Sequence, residues 1–246
     1  MKNFKVTLMY DGSRYDGWQK QGNTENTIQG KIETLLARSF GVPVEIHGAG
    51  RTDAGVHAKG QVFHVKLDTK LGAEQLCSLL NEYLPEDIAA VSAEEVDMRF
   101  HSRLNARGKR YEYRIHNSSS GNPFMRKYYY NVKEPLDLPL MRKAAELLCG
   151  TWDYQSFCSA KRTKKSTVRT VYEIDVREEC GDVVITFHGN GFLYNMVRIM
   201  TGTLIEVGLG KRMPQSMTEI LEAKDRMAAG FTAPPQGLCL VEVEYD

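Results

Sequence analysis

The sequence predicts an α+β fold, and three observations point there. Runs that alternate apolar and polar residues, as half-buried strands do, recur between Phe4 and Glu244. Stretches with apolar residues three and four apart lie between some of them, yet strand and helix do not alternate strictly as in a doubly wound sheet. At 246 residues, 42% of them hydrophobic and 26% charged, the chain is long enough to bury a sizeable core.

The elements follow in order. Residues 4–10 read as a strand and about 27–40 as a helix, in which Ile28, Ile32, Leu35 and Leu36 make one apolar face and Asn26 and Thr27 are both candidate caps. A short strand at 44–47 leads into a glycine-rich loop and a strand at 61–67, where Phe63, Val65 and Leu67 alternate with Val62, His64 and Lys66. A helix near 73–83 and a strand at 88–97 complete the first half. A basic passage from Arg99 to Arg114 ends in the strand Arg110 to Ile115, whose two-residue period sets Tyr111, Tyr113 and Ile115 opposite Arg110, Glu112 and Arg114. The second half gives a serine- and glycine-rich loop at 117–123, a helix at about 137–149 and strands near 168–178 and 182–188. A long helix beginning near Phe192, a shorter one near 214–224 and a closing strand from Leu238 to Glu244 follow. The expected domains are 1–104 and 105–246.

Composition narrows the function classes. The first residues run straight into a strand-like segment, leaving no room for a secretory leader, and no apolar stretch is long enough to span a bilayer, so a cytoplasmic, non-membrane protein is expected. Five cysteines stand far apart with no C-x-x-C pair, which speaks against a disulfide framework and a zinc ribbon. The histidines are scattered, and His47 with His57 lacks the spacing of a metal pair, so no metal is expected. A net charge of +1 decides nothing about nucleic acid, because a balanced total can hide a polarised surface.

The run from His47 to Ala58 crowds Gly48, Gly50 and Gly55, one arginine and one carboxylate into a dozen residues. Glycines tolerate positive φ, so the run reads as a shaped loop that holds Arg51 and Asp53 between two strands. Catalytic groups often sit in such places, and so do ordinary turns closed by an Asx-type bond; both readings stand on the residues alone.

Cations cluster twice. Arg99, Arg103, Arg107, Lys109, Arg110 and Arg114 have only Glu112 among them, and Lys161, Arg162, Lys164 and Lys165 with Arg169 have no acid inside the run. Such clusters suit phosphate contacts or a solvated face. Tyr15 and Trp18, beside Arg14 and Lys20 on a glycine-broken loop, suit stacking on bases or anchoring of that loop. Arg198 lies in an apolar helix whose neighbours at three and four residues, Asn195, Tyr194, Thr201 and Gly202, carry no acid. It either snorkels to solvent or pairs with a distant carboxylate, for which Asp53 is a candidate.

Taken together, Tyr10-Asp11-Gly12 with Gly17-Trp18-Gln19, Gly50 to Ala58, Phe100-His101-Ser102-Arg103, Lys109 to Tyr113, Met196-Val197-Arg198 and Thr232 to Leu238 resemble the TruA family of tRNA pseudouridine synthases. The motifs run in family order along essentially the whole chain. The resemblance implies two ferredoxin-like halves sharing one extended, mostly antiparallel sheet with a central cleft, and a homodimer that binds tRNA across both subunits. It implies isomerisation of uridine to pseudouridine at positions 38–40 of the anticodon stem-loop, with no metal and no small-molecule cofactor. The family's essential aspartate maps onto Asp53, and the arginine that takes the place of the flipped-out nucleotide maps onto Arg51. The site tyrosine maps onto Tyr111, the arginine that ion-pairs the aspartate onto Arg198, and an apolar residue near the target base onto Leu238. Cys239 stands where an aromatic residue is common and Thr201 where an aliphatic one is common.

Moving a glycosidic bond from N1 to C5 of one uracil needs no redox partner or activated donor, which agrees with the absence of dinucleotide and phosphate-loop motifs. The target must leave the stack, so a side chain that fills the gap is useful. Attack by Asp53 at C1′, attack at C6 and removal of the C2′ proton all remain open. Two rival readings are a non-catalytic RNA-binding module using the same basic surface, and a metal-dependent phosphoesterase built on Asp11, Asp16 and Asp53.

Overall fold

The computed structural model describes residues 1–160 and 166–246, so the cations expected at Lys161 to Lys165 lie outside the described residues. The described chain holds ten strands and five α-helices, an α+β composition. It divides into two compact units, Met1–Arg107 with Cys239–Asp246, and Gly108–Leu238.

In the first unit the order is β1 (Lys2–Tyr10), α1 (Ile28–Phe40), β2 (Ile46–Gly48), β3 (His57–Leu67), α2 (Ala73–Tyr83) and β4 (Ile88–Val96). Strands run β4-β1-β3 with β2 on β3, all antiparallel, which is the ferredoxin-like β-α-β-β-α-β arrangement. The last strand, β10 (Leu238–Glu244), belongs to this unit from Cys239 on and runs parallel to β3, with Cys239 opposite His57 and Leu240 opposite Ala58. Alternation in β1 and β3 explains the core. Phe4, Val6 and Leu8 share a face with Phe63 and Val65, all buried along with Ile28, Ile32, Leu36 and Ile46. Thr27 caps α1 by accepting from Gly30 N at 3.2 Å, and Gly41 ends it with φ of 71°. The other candidate cap, Asn26, instead donates to Arg14 O and accepts from Asp16 N, bracing the loop before the helix.

The second unit holds β5 (Gly108–Asn117), β6 (Tyr130–Val132), α3 (Leu138–Leu147), β7 (Gly150–Asp153), β8 (Val168–Glu179), β9 (Asp182–Gly189), α4 (Met196–Gly208) and α5 (Ser216–Ala223). Its strands run β5-β9-β8-β7 with antiparallel neighbours, and β6 lies parallel to β5. The long helix starts at Met196, not near Phe192. Gly191 and Asn195 both take positive φ, 157° and 61°, so Phe192 and Leu193 lie in the loop before the helix despite their apolarity. The short strands β6 and β7 have no sequence signature, being three and four residues long.

Register also alters the reading of the basic passage. Arg114 pairs with Glu179 at 2.9 Å and Asp182 at 3.2 Å, Arg177 reaches Glu112 at 3.0 Å, and Arg110 lies 3.9 Å from Glu173. Glu173 and Glu179 sit on β8 and Asp182 at the start of β9, more than sixty residues along the chain from Arg110 and Arg114 but brought near β5 by the sheet order β5-β9-β8. Arg107 pairs with Asp246 at 2.8 Å. Arg99 and Arg103 are exposed.

Candidate active site

The loop between β2 and β3 is held from below at every turn. Ala49 N donates to Val62 O at 2.7 Å, Gln61 Nε2 to Gly50 O at 3.1 Å, and Trp18 N to Thr52 O at 3.0 Å. Tyr10 and Thr52 share a buried hydroxyl–hydroxyl hydrogen bond of 2.8 Å, and Gly55 N reaches Tyr15 O at 3.3 Å. Val56 N closes a turn onto Asp53 O at 3.2 Å, with Gly55 at φ 78° inside it. Asp53 is half-buried and Arg51 exposed, between a buried Thr52 and a buried Val56. The expected shaped loop with its two charged side chains is therefore present, and its shape comes from three neighbouring segments.

The segment Asp11 to Gln19 supplies most of that support. Trp18 is 2% exposed, so the indole anchors the loop by packing and is not a stacking surface. It lies so close to Gly48 that a Cβ there would come within 2.5 Å of the indole nitrogen. Tyr15 is buried too, with its hydroxyl donated to Asp87. Asp11 and Asp16 have local partners: Asp11 accepts from Ser13 N at 2.9 Å, and Asp16 accepts from the Thr24 hydroxyl at 2.6 Å.

Gln19, Gln29 and Glu33 form a row of side chains that ends on Arg51, which the sequence does not reveal. Arg51 Nε donates to Gln19 Oε1 at 3.0 Å, Gln19 Nε2 to Gln29 Oε1 at 2.7 Å, and Gln29 Nε2 to Glu33 Oε1 at 2.8 Å. The one available signal was the four-residue spacing of Gln29 and Glu33, which puts them on one helix face.

In the second unit, Tyr111 on β5 is 8% exposed and meets Phe192 edge-on, ring centroids 5.4 Å apart. Tyr113, two residues on, is core, and its hydroxyl donates to Pro234 O at 2.8 Å. Arg198, in the first turn of α4, is half-buried; its Nε donates to Ala233 O at 2.7 Å and its Nη1 to Asn195 Oδ1 at 2.9 Å. Ala233 N in turn donates to Arg198 O at 3.0 Å. The guanidinium thus straps the segment Thr232 to Leu238 to the helix start. Leu238, at the end of that segment, is buried. So Tyr111, Arg198 and Leu238 belong to one unit, Arg51 and Asp53 to the other.

A family model described as tRNA pseudouridine synthase matches residues 7–105 and 144–246, which include all five of these residues except Tyr111. The chain belongs to the tRNA pseudouridine synthase family. Full-length relatives agree with that assignment. The chain is 49% identical to tRNA pseudouridine synthase A of Bacillus sp. (strain KSM-64) and 48% identical to tRNA pseudouridine synthase A 2 of Bacillus cereus (strain ZK / E33L), each over 100% of both chains. It is 48% identical to tRNA pseudouridine synthase A of Exiguobacterium sp. (strain ATCC BAA-1283 / AT1b), over 100% of this chain and 99% of that one. Among solved structures it is similar to a chain from the crystal structure of a Cbf5-Nop10-Gar1 complex, at 13% identity and a TM-score of 0.39, over 96% of this chain and 48% of that one. A likeness that distant bears no weight in the assignment. Among the described residues, no helix is long and apolar enough to cross a membrane.

Proposed function

We propose that this tRNA pseudouridine synthase acts at positions 38–40 of the anticodon stem-loop and that Asp53 is the group that acts on the nucleotide. Isomerisation of uridine in tRNA comes with family membership. The anticodon arm and the residue roles are the further reading, supported by the motif matches.

The observation that carries it is the construction of the Asp53 loop. A half-buried carboxylate stands on a turn whose backbone is fixed by β1, β3 and the Tyr15–Trp18 segment, so it is held in place before substrate arrives. In the reaction the N1–C1′ bond breaks and a C5–C1′ bond forms within one nucleotide. The proton on C5 leaves and N1 gains one, so atoms and electrons balance without an oxidant, metal or donor. An ionised carboxylate is a competent nucleophile or base for this. Arg51, exposed two residues before it, is proposed to fill the space left by the extruded nucleotide. Tyr111, Arg198 and Leu238 are proposed as substrate-binding residues, Tyr111 through its ring. A cytoplasmic homodimer that binds tRNA across both subunits, without cofactor, completes the reading.

Tritium release from tRNA carrying 5-tritiated uridine tests it. Asp53→Ala is expected to fall to background while tRNA affinity stays within about threefold, since the basic surface survives. Full activity of that variant overturns the role of Asp53. Binding without tritium release by the parent protein favours a non-catalytic RNA-binding module.

A further inference from the structure

Arg51 is exposed, yet its guanidinium lies at the end of a chain of side chains that begins inside the protein. Glu33, on α1, is 7% exposed. Its Oε1 accepts from Gln29 Nε2 at 2.8 Å and from Ile46 N at 3.2 Å, and its Oε2 accepts from Lys20 Nζ at 3.2 Å. Gln29, also 7% exposed, turns its Oε1 the other way, accepting from Lys20 N at 3.1 Å and from Gln19 Nε2 at 2.7 Å. Gln19 then presents its own Oε1 to Arg51 Nε at 3.0 Å.

The order of oxygen and nitrogen along this chain is forced by its ends. An ionised carboxylate only accepts, so Gln29 must give it the NH₂ group and keep its oxygen for the far side. The Lys20 backbone N–H, which only donates, demands the same orientation independently. Gln19 must then offer NH₂ to Gln29, which leaves its oxygen outward. A guanidinium only donates, and that oxygen is the acceptor it meets. Reversing Gln29 would set donor against donor at Lys20 N and oxygen against oxygen at the buried Glu33, where an unmet hydrogen bond is costly, and reversing Gln19 would set its NH₂ against the Arg51 guanidinium.

We propose that Gln19 and Gln29, polarised by the buried Glu33 carboxylate, form a relay that positions Arg51 for its part in the reaction. The relay makes Gln19, Gln29 and Glu33 positioning residues; none of them touches the reacting atoms. It extends the role given above to Arg51 and rests on that reading. Its energetic logic is preorganisation: a long, flexible side chain is held near its working orientation before RNA binds, so less of its freedom is lost at the moment of base extrusion.

A double-mutant cycle on tritium release and tRNA affinity tests the relay. Gln19→Ala removes the last acceptor from a half-buried position, and kcat is expected to fall about tenfold with tRNA affinity nearly unchanged. Gln19→Glu keeps an acceptor facing Arg51 but sets an oxygen against Gln29 Oε1, so it is expected to recover only part of the loss. In an Arg51→Ala background both Gln19 variants are expected to have no further effect. Glu33→Gln, which keeps the shape and an acceptor for Gln29 but removes the charge that polarises the amides, is expected to give a smaller loss that also disappears in that background. Gln19→Ala as fast as the parent, or a loss that multiplies with that of Arg51→Ala, overturns the relay while leaving the role of Arg51 intact. Arg51→Ala as fast as the parent overturns the role of Arg51 itself, and the relay with it. Thermal melts of each variant separate these outcomes from loss of fold.

Discussion

Tyr10 and Thr52 share a hydrogen bond of 2.8 Å between their hydroxyls, with both residues buried, and it ties the end of β1 to the residue immediately before Asp53. Burial pushes the Tyr10 phenol far above its ordinary range, so it stays protonated at any working pH.

Tyr10→Phe removes one partner and leaves the Thr52 hydroxyl buried. The expected cost is about 1–3 kcal/mol in urea unfolding, the range for a buried polar group left unpaired. Tritium release is expected to drop with it, because the loop carrying Asp53 loses a fixed point. Unchanged stability would show that water or a rearranged Thr52 replaces the bond.

Gly12 permits a close approach of two backbones. A Cβ at this position would lie 1.9 Å from Val56 O, at the end of the Asp53 loop, and neither backbone can yield without disturbing the other. Gly12→Ala is therefore expected to cost about 4 kcal/mol or more, seen as a large fall in Tm or in soluble yield. A melt within a few degrees of the parent would show that the loop has slack.

His64 makes stability depend on pH. Its pKa is pushed down to about 4, first by burial and then by His101, His47 and Lys66 nearby. Its Nδ1 accepts from Ser102 N at 3.2 Å, a bond that a proton on that nitrogen would break. Between about 4 and the ordinary 6.5 the unfolded chain binds a proton that the folded chain refuses, so stability present above pH 6.5 is lost as the pH falls towards 4. The expected loss is about 2 kcal/mol. Urea unfolding at pH 7.5 and 4.5 measures it, and His64→Gln should flatten the difference between the two; parallel behaviour of variant and parent would assign the pH dependence to other groups.

Arg114 separates structural cations from RNA contacts. Its partners Glu179 and Asp182 occupy it, so Arg114→Met should lower stability by about 1 kcal/mol, yet leave the slope of log tRNA affinity against log salt unchanged. A shallower slope would place Arg114 on a phosphate.

Arg198→Lys tests the strap on Thr232 to Leu238. Lysine cannot donate to Ala233 O and Asn195 Oδ1 from a planar fork, so a loss of about 1–2 kcal/mol and at least about tenfold in kcat/KM is expected. Retention of both would make the strap dispensable.

What was legible in the sequence follows from range. The apolar face of α1 and the alternation in β1, β3 and β5 repeat over one element, so periodicity alone locates them, and the bounds of α2 and β10 match those expected. The glycine spacing around Asp53 is also local, and so the loop was visible. The partners of Arg114 were not: Glu179 and Asp182 become neighbours only once β8 and β9 are in register with β5. The same holds for the Trp18 indole, whose burial depends on Gly48, and for Gln29, whose link to Gln19 closes only when the loop folds over α1. The start of α4 differs from the sequence expectation for a local reason, since Gly191 and Asn195 take positive φ, which hydrophobic spacing does not report.

The pairing of Cys239 and Leu240 with His57 and Ala58 also bears on how the protein is made. A ribosome polymerises residues 57 and 58 roughly 180 residues before their partners, so the edge of β3 next to the Asp53 loop stays open through most of synthesis. During that interval the two positions that β10 later covers are an unpaired strand edge, while β2 already covers the same strand at Phe63 to Val65. Limited proteolysis should cut near β3 in a released chain that stops at Leu238 and spare it in the chain that continues to Asp246.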